Sequence, residues 1–361
     1  MSKIETLYKE WQSLQPLKEQ DQNRLDQKFM LEFNYNSNHI EGNTLTYGQT
    51  ELLLLFGRVV GEAKMKDLEE MKASNVGLKM VKEMALDKEQ SLSEYFIRTL
   101  HKTLLREDYT EYRQLPDGTN FSYVVHAGQY KTRPNSVITP TGERFEYASP
   151  EETPALMTDL LQWYNQAEAE GTMSPIELAS LFHYRYIRIH PFEDGNGRIS
   201  RLIVNYILYH GYPMIVVRTK DKKNYLAALS KCDAVVGKIP SDGAQASLEQ
   251  TKPFVDYMTG VLCKDISTNI AIIKDKDRSI WWYNGELITF KSQNTINLLD
   301  ALNEDGKITV RDLADKLGIN KSAVQKQLKT LQDKGYIIRV GGRSGYWKVI
   351  IVCTTPDSGT K

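Results

Sequence analysis

The chain has 361 residues, 41% hydrophobic and 25% charged, with 46 Lys and Arg matched by 46 Asp and Glu. This describes a soluble globular protein of two or three domains. The longest apolar runs, Leu52–Phe56 and Val349–Cys353, fall far short of the roughly 18 residues a membrane-spanning helix needs, so no membrane partner is expected. The N-terminal stretch MSKIETLYKEWQSLQ lacks an apolar h-region, and the three cysteines (Cys232, Cys263, Cys353) are too widely spaced for a disulfide framework or a metal knuckle. The expected location is a reducing cytoplasm.

The zero net charge hides an asymmetry. Residues 291–361 hold 12 Lys and Arg against 7 Asp and Glu, a balance of +5, which leaves −5 on the first 290. A polyanionic partner, if there is one, belongs to the tail.

In chain order, apolar residues at helical spacing (Leu25, Phe29, Leu31, Phe33) predict a helix from about Asp21 to Glu41, followed by a Gly42-Asn43 turn. A capping box from Thr46 to Gln49 opens a second helix through Leu55, and helical patterns continue to Met80 and over Ser93–Leu105. Between Gly128 and Ser149 the texture is that of a hairpin or irregular loop. Glu152–Glu170 is amphipathic, and Ser174-Pro175-Ile176-Glu177 caps a helix that ends near Ile189. Gly237–Ala246 reads as a surface loop, Pro253–Cys263 as a helix, and the charged Lys274–Arg278 as a change toward the tail, with a linking helix as an alternative there. There Ile296–Leu302, Val310–Leu317 and Lys321–Asp333 predict three helices, and Tyr336–Val340 and Tyr346–Ile351 two β-runs around Gly341–Gly345. Helix, helix, helix, hairpin is a winged helix-turn-helix.

The stretch that carries chemistry is His190-Pro191-Phe192-Glu193-Asp194-Gly195-Asn196-Gly197-Arg198-Ile199-Ser200-Arg201. Pro191 ends one helix and the apolar run from Ile199 starts another, so the Gly195-Asn196-Gly197 turn lies at a helix N-terminus. Its backbone N–H groups and the helix dipole favour a phosphate there. Arg198 and Arg201, three apart on the first turn, can both reach a polyphosphate bidentately. Asp194 is a hard oxygen ligand suited to Mg²⁺, and His190 is the side chain able to move a proton near neutral pH. Singly, each residue has an ordinary structural explanation as cap, turn or solvated surface; Phe192 anchors the loop in the core. Together they place a base, a metal ligand, an anion nest and two arginines within twelve residues.

This stretch resembles, at every defining position, the HxFx(D/E)GNGRxxR motif of the Fic family, enzymes that typically transfer AMP from ATP to a hydroxyl of a target protein. The likeness extends over roughly residues 30–265. It implies that His190 is the base that deprotonates a Tyr, Thr or Ser hydroxyl and that Asp194 holds Mg²⁺ at the α- and β-phosphates. It further implies that Gly195, Asn196 and Gly197 cradle the phosphates while Arg198 and Arg201 hold the β- and γ-phosphates. Doc-type kinases carry Lys at the place of Gly197, and the phosphocholine transferases depart from Gly at that of Gly195, so the sequence favours AMP transfer over both. Ser37-Asn38-His39-Ile40-Glu41-Gly42 resembles the family's inhibitory (S/T)xxxE(G/N) motif. Ser37 and Glu41 share a helical face, from which Glu41 would pair with Arg201 in the place of the γ-phosphate. Glu41 would also orient a water if the same site removes AMP.

Two further likenesses are local. Gly128–Ser149 sits where the family has a flap that receives the target by strand addition, with Val137 and Ile138 at its edge; Lys131 stands where many members have Arg. Asn224-Tyr225-Leu226 resembles the segment lining the adenine pocket, although Tyr225 could equally be a core aromatic. In the tail, Lys321, Ser322, Gln325, Lys326 and Lys329 occupy the place of a recognition helix and Arg343 that of a wing tip, for double-stranded DNA or for protein docking.

The expected fold is mainly α, a Fic-type helical core with a short β-hairpin flap followed by a winged helix. Residues 1–110 form an N-terminal helical region, 111–270 the catalytic core, 271–290 a linker, 291–351 the winged helix and 352–361 a tail. The expected function is a protein adenylyltransferase using ATP and Mg²⁺ on a target hydroxyl or on itself, with a homodimer as one assembly. The rival is a DNA-binding regulator whose Fic-like core only senses nucleotide; a sensor has no use for the base His190.

Overall fold

The computed structural model describes residues 2–87, 89–114, 118–138, 144–209, 211–274, 280–283, 286–288, 290, 292–341 and 345–354. The chain divides into two compact units, 1–270 and 271–361.

The first unit opens with α1 (Lys3–Ser13) and the long α2 (Glu19–Ile40), then α3 (Tyr47–Phe56), α4 (Met65–Leu86) and α5 (Glu94–Leu105). Two antiparallel hairpins follow, β1 (Tyr109–Gln114) with β2 (Asn120–Val125), and β3 (Ser136–Ile138) with β4 (Arg144–Glu146). The helices resume as α6 (Thr153–Glu170), α7 (Pro175–Ile189), α8 (Asn196–Tyr209), α9 (Lys222–Val236), α10 (Pro240–Ala244) and α11 (Lys252–Lys274). Local chemistry explains the boundaries. Ser174 and Glu177 make the reciprocal capping box of α7, Thr46 and Gln49 that of α3, and Gly171 ends α6 at φ 61°, where a side chain would be strained. The core lies around α7 and α8, packed against α4, α5 and α6. Every residue from Ile199 to Leu208 is buried, which makes α8 a helix covered on all sides.

The mainly α class with a short flap hairpin holds, and three local expectations do not. The β1–β2 hairpin was not foreseen. Gly237–Ala246, expected on the surface, carries α10, and Gly243 is buried against Arg188, where a Cβ would run into the guanidinium. Arg188 itself is 1% exposed and donates to the carbonyls of Gly237 and Ile239 at 2.9 and 2.8 Å, so this segment satisfies a buried cation. The helix expected over Pro253–Cys263 is longer, running from Lys252 to Lys274, where a linking helix was the alternative.

The second unit contains α12 (Gln293–Glu304), α13 (Val310–Leu317) and α14 (Lys321–Asp333), then the antiparallel wing of β7 (Ile337–Val340) and β8 (Tyr346–Val349). Leu298, Leu299, Leu302, Leu313, Val324, Leu328, Leu331 and Ile337 form its own core. The span expected as a linker instead carries β5 (Ile280–Tyr283) and β6 (Glu286–Ile288), and the expected tail begins with β9 (Val352–Thr354). These three strands make one sheet in the order β6-β5-β9.

Candidate active site

His190 closes α7 in the left-handed conformation, φ 51° and ψ 62°, its N–H donating to the carbonyl of Tyr186. That backbone turn throws the loop back across the N-terminus of α8. Asn196 locks it: its Nδ2 donates to the carbonyl of Phe192 at 2.7 Å and its Oδ1 accepts from the Phe192 N–H at 3.0 Å. Phe192 is fully buried, an anchor worth about 1.5–3 kcal/mol. From the flap side, Lys131 Nζ donates to the carbonyls of Ile189 and His190, both at 2.9 Å. Burial lowers the Lys131 pKa to about 8.

The imidazole of His190 stacks on Tyr147, ring centroids 4.1 Å apart. Its Nδ1 lies 3.0 Å from Asn135 Nδ2 and 3.1 Å from Asn196 Nδ2. Both carboxamides also donate to the Phe192 carbonyl, which fixes their orientation, so Nδ1 accepts and the ring proton rests on Nε2. A hydroxyl arriving at His190 must displace a carboxamide or meet the other tautomer. Burial, reinforced by the Lys131 ammonium, lowers the His190 pKa to about 3, so the ring is neutral at ordinary pH.

Beyond the turn, Gly195 (φ 78°), Asn196 and Gly197 lie at the first turn of α8 and Arg198 and Arg201 follow, both 4% exposed. Asp194 Oδ2 accepts from the Tyr109 hydroxyl at 2.9 Å and from Arg198 at 3.4 Å. Burial would raise the Asp194 pKa, but Arg198, Tyr109 and the Gly195 N–H outweigh it and hold the carboxyl below the usual range. Arg198 also faces Glu70 of α4 at 3.8 Å. The backbone of this turn is set by His101, a residue to which no sequence pattern points. Its ring stacks on Phe192 at 3.8 Å, accepts the Gly128 N–H at Nδ1 (2.8 Å), and so donates from Nε2 to the Asp194 carbonyl (3.1 Å). Burial lowers its pKa to about 4, which keeps the ring neutral, as an accepting Nδ1 requires.

Ser37 and Glu41 lie where α2 ends against α8. Arg201 Nε donates to Ser37 Oγ at 3.0 Å, and its NH2 donates to the Ser37 carbonyl at 2.9 Å and to Glu41 Oε1 at 2.7 Å. A Cβ on Gly197 would run into the Glu41 carboxylate, so the two are in direct apposition. Glu41 is not merely an exposed helix-end carboxylate. The helix that delivers it is anchored along its length. Arg218 pairs with Glu32 at 2.8 Å and Asp265 at 2.7 Å, Asn36 Oδ1 accepts the Thr219 N–H at 2.9 Å, and Lys222 Nζ donates to the Ile40 carbonyl at 2.6 Å.

Of the softer expectations, Val137 and Ile138 lie on β3, paired with Phe145 and Arg144 of β4. Tyr225 is 3% exposed, packed against Phe254 and Tyr257, with its hydroxyl 2.8 Å from His183 Nε2 and in hydrogen-bond reach of Arg201. It is a core aromatic beneath the arginine, while Asn224 and Leu226 are exposed. On α14, Asn320 Oδ1 accepts the Ala323 N–H at 2.7 Å, Val324, Leu328 and Leu331 face the core, and Lys321, Ser322, Gln325, Lys326 and Lys329 lie off that face. Arg343 lies outside the described residues.

Residues 91–208 match the Fic/DOC family model. A crystal structure of a Fic domain containing signaling protein from Bacteroides thetaiotaomicron is 56% identical, covering 76% of this chain and 97% of that one with a TM-score of 0.71. The chain belongs to the Fic/DOC family. Residues 291–338 match a winged helix-turn-helix DNA-binding model. A Fic-1 fragment from Caenorhabditis elegans has the same fold at 25% identity and TM-score 0.58, over 75% of this chain and 72% of that one. The curated protein adenylyltransferase fic-1 of that organism is 28% identical over 268 residues, 74% of this chain and 43% of its own length. The chain thus spans less than half the length of the curated relatives it matches. A Fic family protein from Desulfovibrio desulfuricans shares the fold over 100% of this chain and 98% of that one, at 20% identity and TM-score 0.55.

Proposed function

We propose that the first unit is an autoinhibited protein adenylyltransferase. The observation that carries this reading is one loop holding a neutral histidine, an ionised carboxylate and two arginines, the second arginine already engaged by Glu41. His190 takes the proton of an acceptor hydroxyl. The acceptor oxygen bonds to the α-phosphorus of ATP, the bond from that phosphorus to the α–β bridging oxygen breaks, and pyrophosphate leaves. Arg198 and Arg201 hold the β- and γ-phosphates, and the α8 N-terminus supplies the nest.

Asp194 fits a Mg²⁺ site, since it is an ionised hard-oxygen donor beside the turn. Among the described residues no group of three or more His, Cys, Asp or Glu could hold a metal alone, so phosphate and water oxygens would complete the shell. The ion would supply charge neutralisation on the phosphates. Hydrolysis of a bound AMP, with Glu41 orienting water, would use the same residues. Incubation with α-labelled ATP should label protein in Mg²⁺ and leave it unlabelled in chelator; equal label in both would remove the metal from the mechanism.

We propose that the second unit binds duplex DNA through α14. Lys321, Lys326 and Lys329 on a helix whose other face is buried support this, as does the +5 balance of residues 291–361. Binding by the full chain should weaken steeply with salt as counterions are released, and Lys326→Ala with Lys329→Ala should flatten the slope by about one unit for each phosphate no longer neutralised. A salt-independent affinity, or none at low salt, would favour protein docking.

A further inference from the structure

On the flap side of His190 lies a cavity of roughly 340 Å³ whose wall includes Arg113, Phe121, Tyr123, Arg133 and Glu193. Phe121 and Tyr123 belong to the β1–β2 hairpin, for which neither the motif nor the flap provides a role. Their rings stack on one another with centroids 6.0 Å apart, and the Arg133 guanidinium lies over both, 4.5 Å from the Tyr123 centroid and 5.3 Å from that of Phe121. Among the described residues no carboxylate pairs with Arg133. The acidic groups nearby are engaged elsewhere: Glu193 Oε1 accepts from the Thr132 hydroxyl at 3.0 Å and its N–H at 3.3 Å, and Glu111 sits 3.5 Å from Arg113.

We infer that this cavity receives the acceptor segment of the target and selects a carboxylate beside the acceptor hydroxyl, with Arg133 as the recognising group. Only the hydroxyl rests on the AMP-transfer reading. A guanidinium held over two rings has less side-chain entropy left to lose when a carboxylate meets its N–H groups. The fork is planar and presents two parallel donors, the geometry that a carboxylate completes bidentately. A lysine-rich segment would meet an unpaired cation at the entrance to His190 and be rejected, and a neutral one would gain nothing from it.

The test measures binding of the full chain, without nucleotide, to short fluorescein-labelled peptides with one central tyrosine flanked by glutamate, glutamine or lysine. The glutamate peptide should bind about fivefold more tightly than the glutamine peptide at low salt, the worth of a partly exposed ion pair, with the lysine peptide weakest. Arg133→Gln should bring the glutamate and glutamine peptides together at an unchanged melting temperature, and Arg133→Lys, which keeps the charge without the fork, should restore part of the difference. Equal binding of the glutamate and glutamine peptides, a preference that survives Arg133→Gln, or no binding of any peptide would overturn the inference. A parent that prefers the glutamate peptide but transfers no label from ATP would sink the adenylyltransferase reading and leave the acidic preference standing.

Discussion

Replacing His190 with alanine should lower AMP transfer by about 10²–10⁴-fold while leaving ATP binding within a few-fold of the parent. The reason is the separation of roles along the loop. On the proposed reading the phosphate contacts fall to the α8 N-terminus, Arg198 and Arg201, and the loop itself is held by Asn196, Phe192 and Lys131, none of which needs the imidazole. The pH profile follows from the same site. Burial and Lys131 lower the His190 pKa to about 3, so protonation begins only as pH falls toward that value. The acid limb of an ordinary histidine near pH 6.5 should therefore be missing, and activity should be flat on its acid side down to about pH 5. An alanine variant as active as the parent would make His190 a helix cap and nothing more.

Glu41→Gly should raise self-labelling with ATP by about 10-fold, the low end of what a charge-assisted hydrogen bond is worth, because the Glu41 side chain is 40% exposed. The carboxylate sits 2.7 Å from Arg201 and against Gly197, so on the proposed reading it would take both the cation and the space of a γ-phosphate. The substitution is mild for the fold. Glu41 is the C-cap of α2 at φ −91°, a conformation glycine adopts freely, and the anchors at Glu32, Asn36 and Ile40 are untouched. With α2 pinned to Arg218, Thr219 and Lys222, the proposed inhibition would be released most readily at its last turn. Glu41→Gln, which keeps the shape without the charge, should fall between parent and glycine variant. No rise in either variant would reduce the Arg201 contact to a structural ion pair.

The twelve-residue loop was legible because its chemistry is contiguous: spacing alone put a base, a carboxylate and two arginines at one helix end. Ser37 and Glu41 were legible through the resemblance to the family's inhibitory motif; their spacing, one turn apart on one face, only agrees with it. What the sequence hid is what reaches the loop from far along the chain. Asn135 lies 55 residues from His190, Tyr109 lies 85 from Asp194, and His101 lies 93 from it; no periodicity links such pairs. The β1–β2 hairpin escaped because β1 is largely polar and exposed, although β2 alternates along Asn120–Val125 and Pro116-Asp117-Gly118 was a turn signal in plain view. Gly237–Ala246 looked like surface because glycine, proline and serine usually mark a loop. Here glycine is required by a buried arginine whose partners include the backbone carbonyls of Gly237 and Ile239, and composition does not reveal that.

The most direct measurement is mass spectrometry of the intact Glu41→Gly chain after incubation with ATP and Mg²⁺, beside the same chain carrying His190→Ala. A gain of one AMP per modified hydroxyl in the first and none in the second is the predicted result. A gain of one phosphoryl group, or AMP added equally to both, would contradict it.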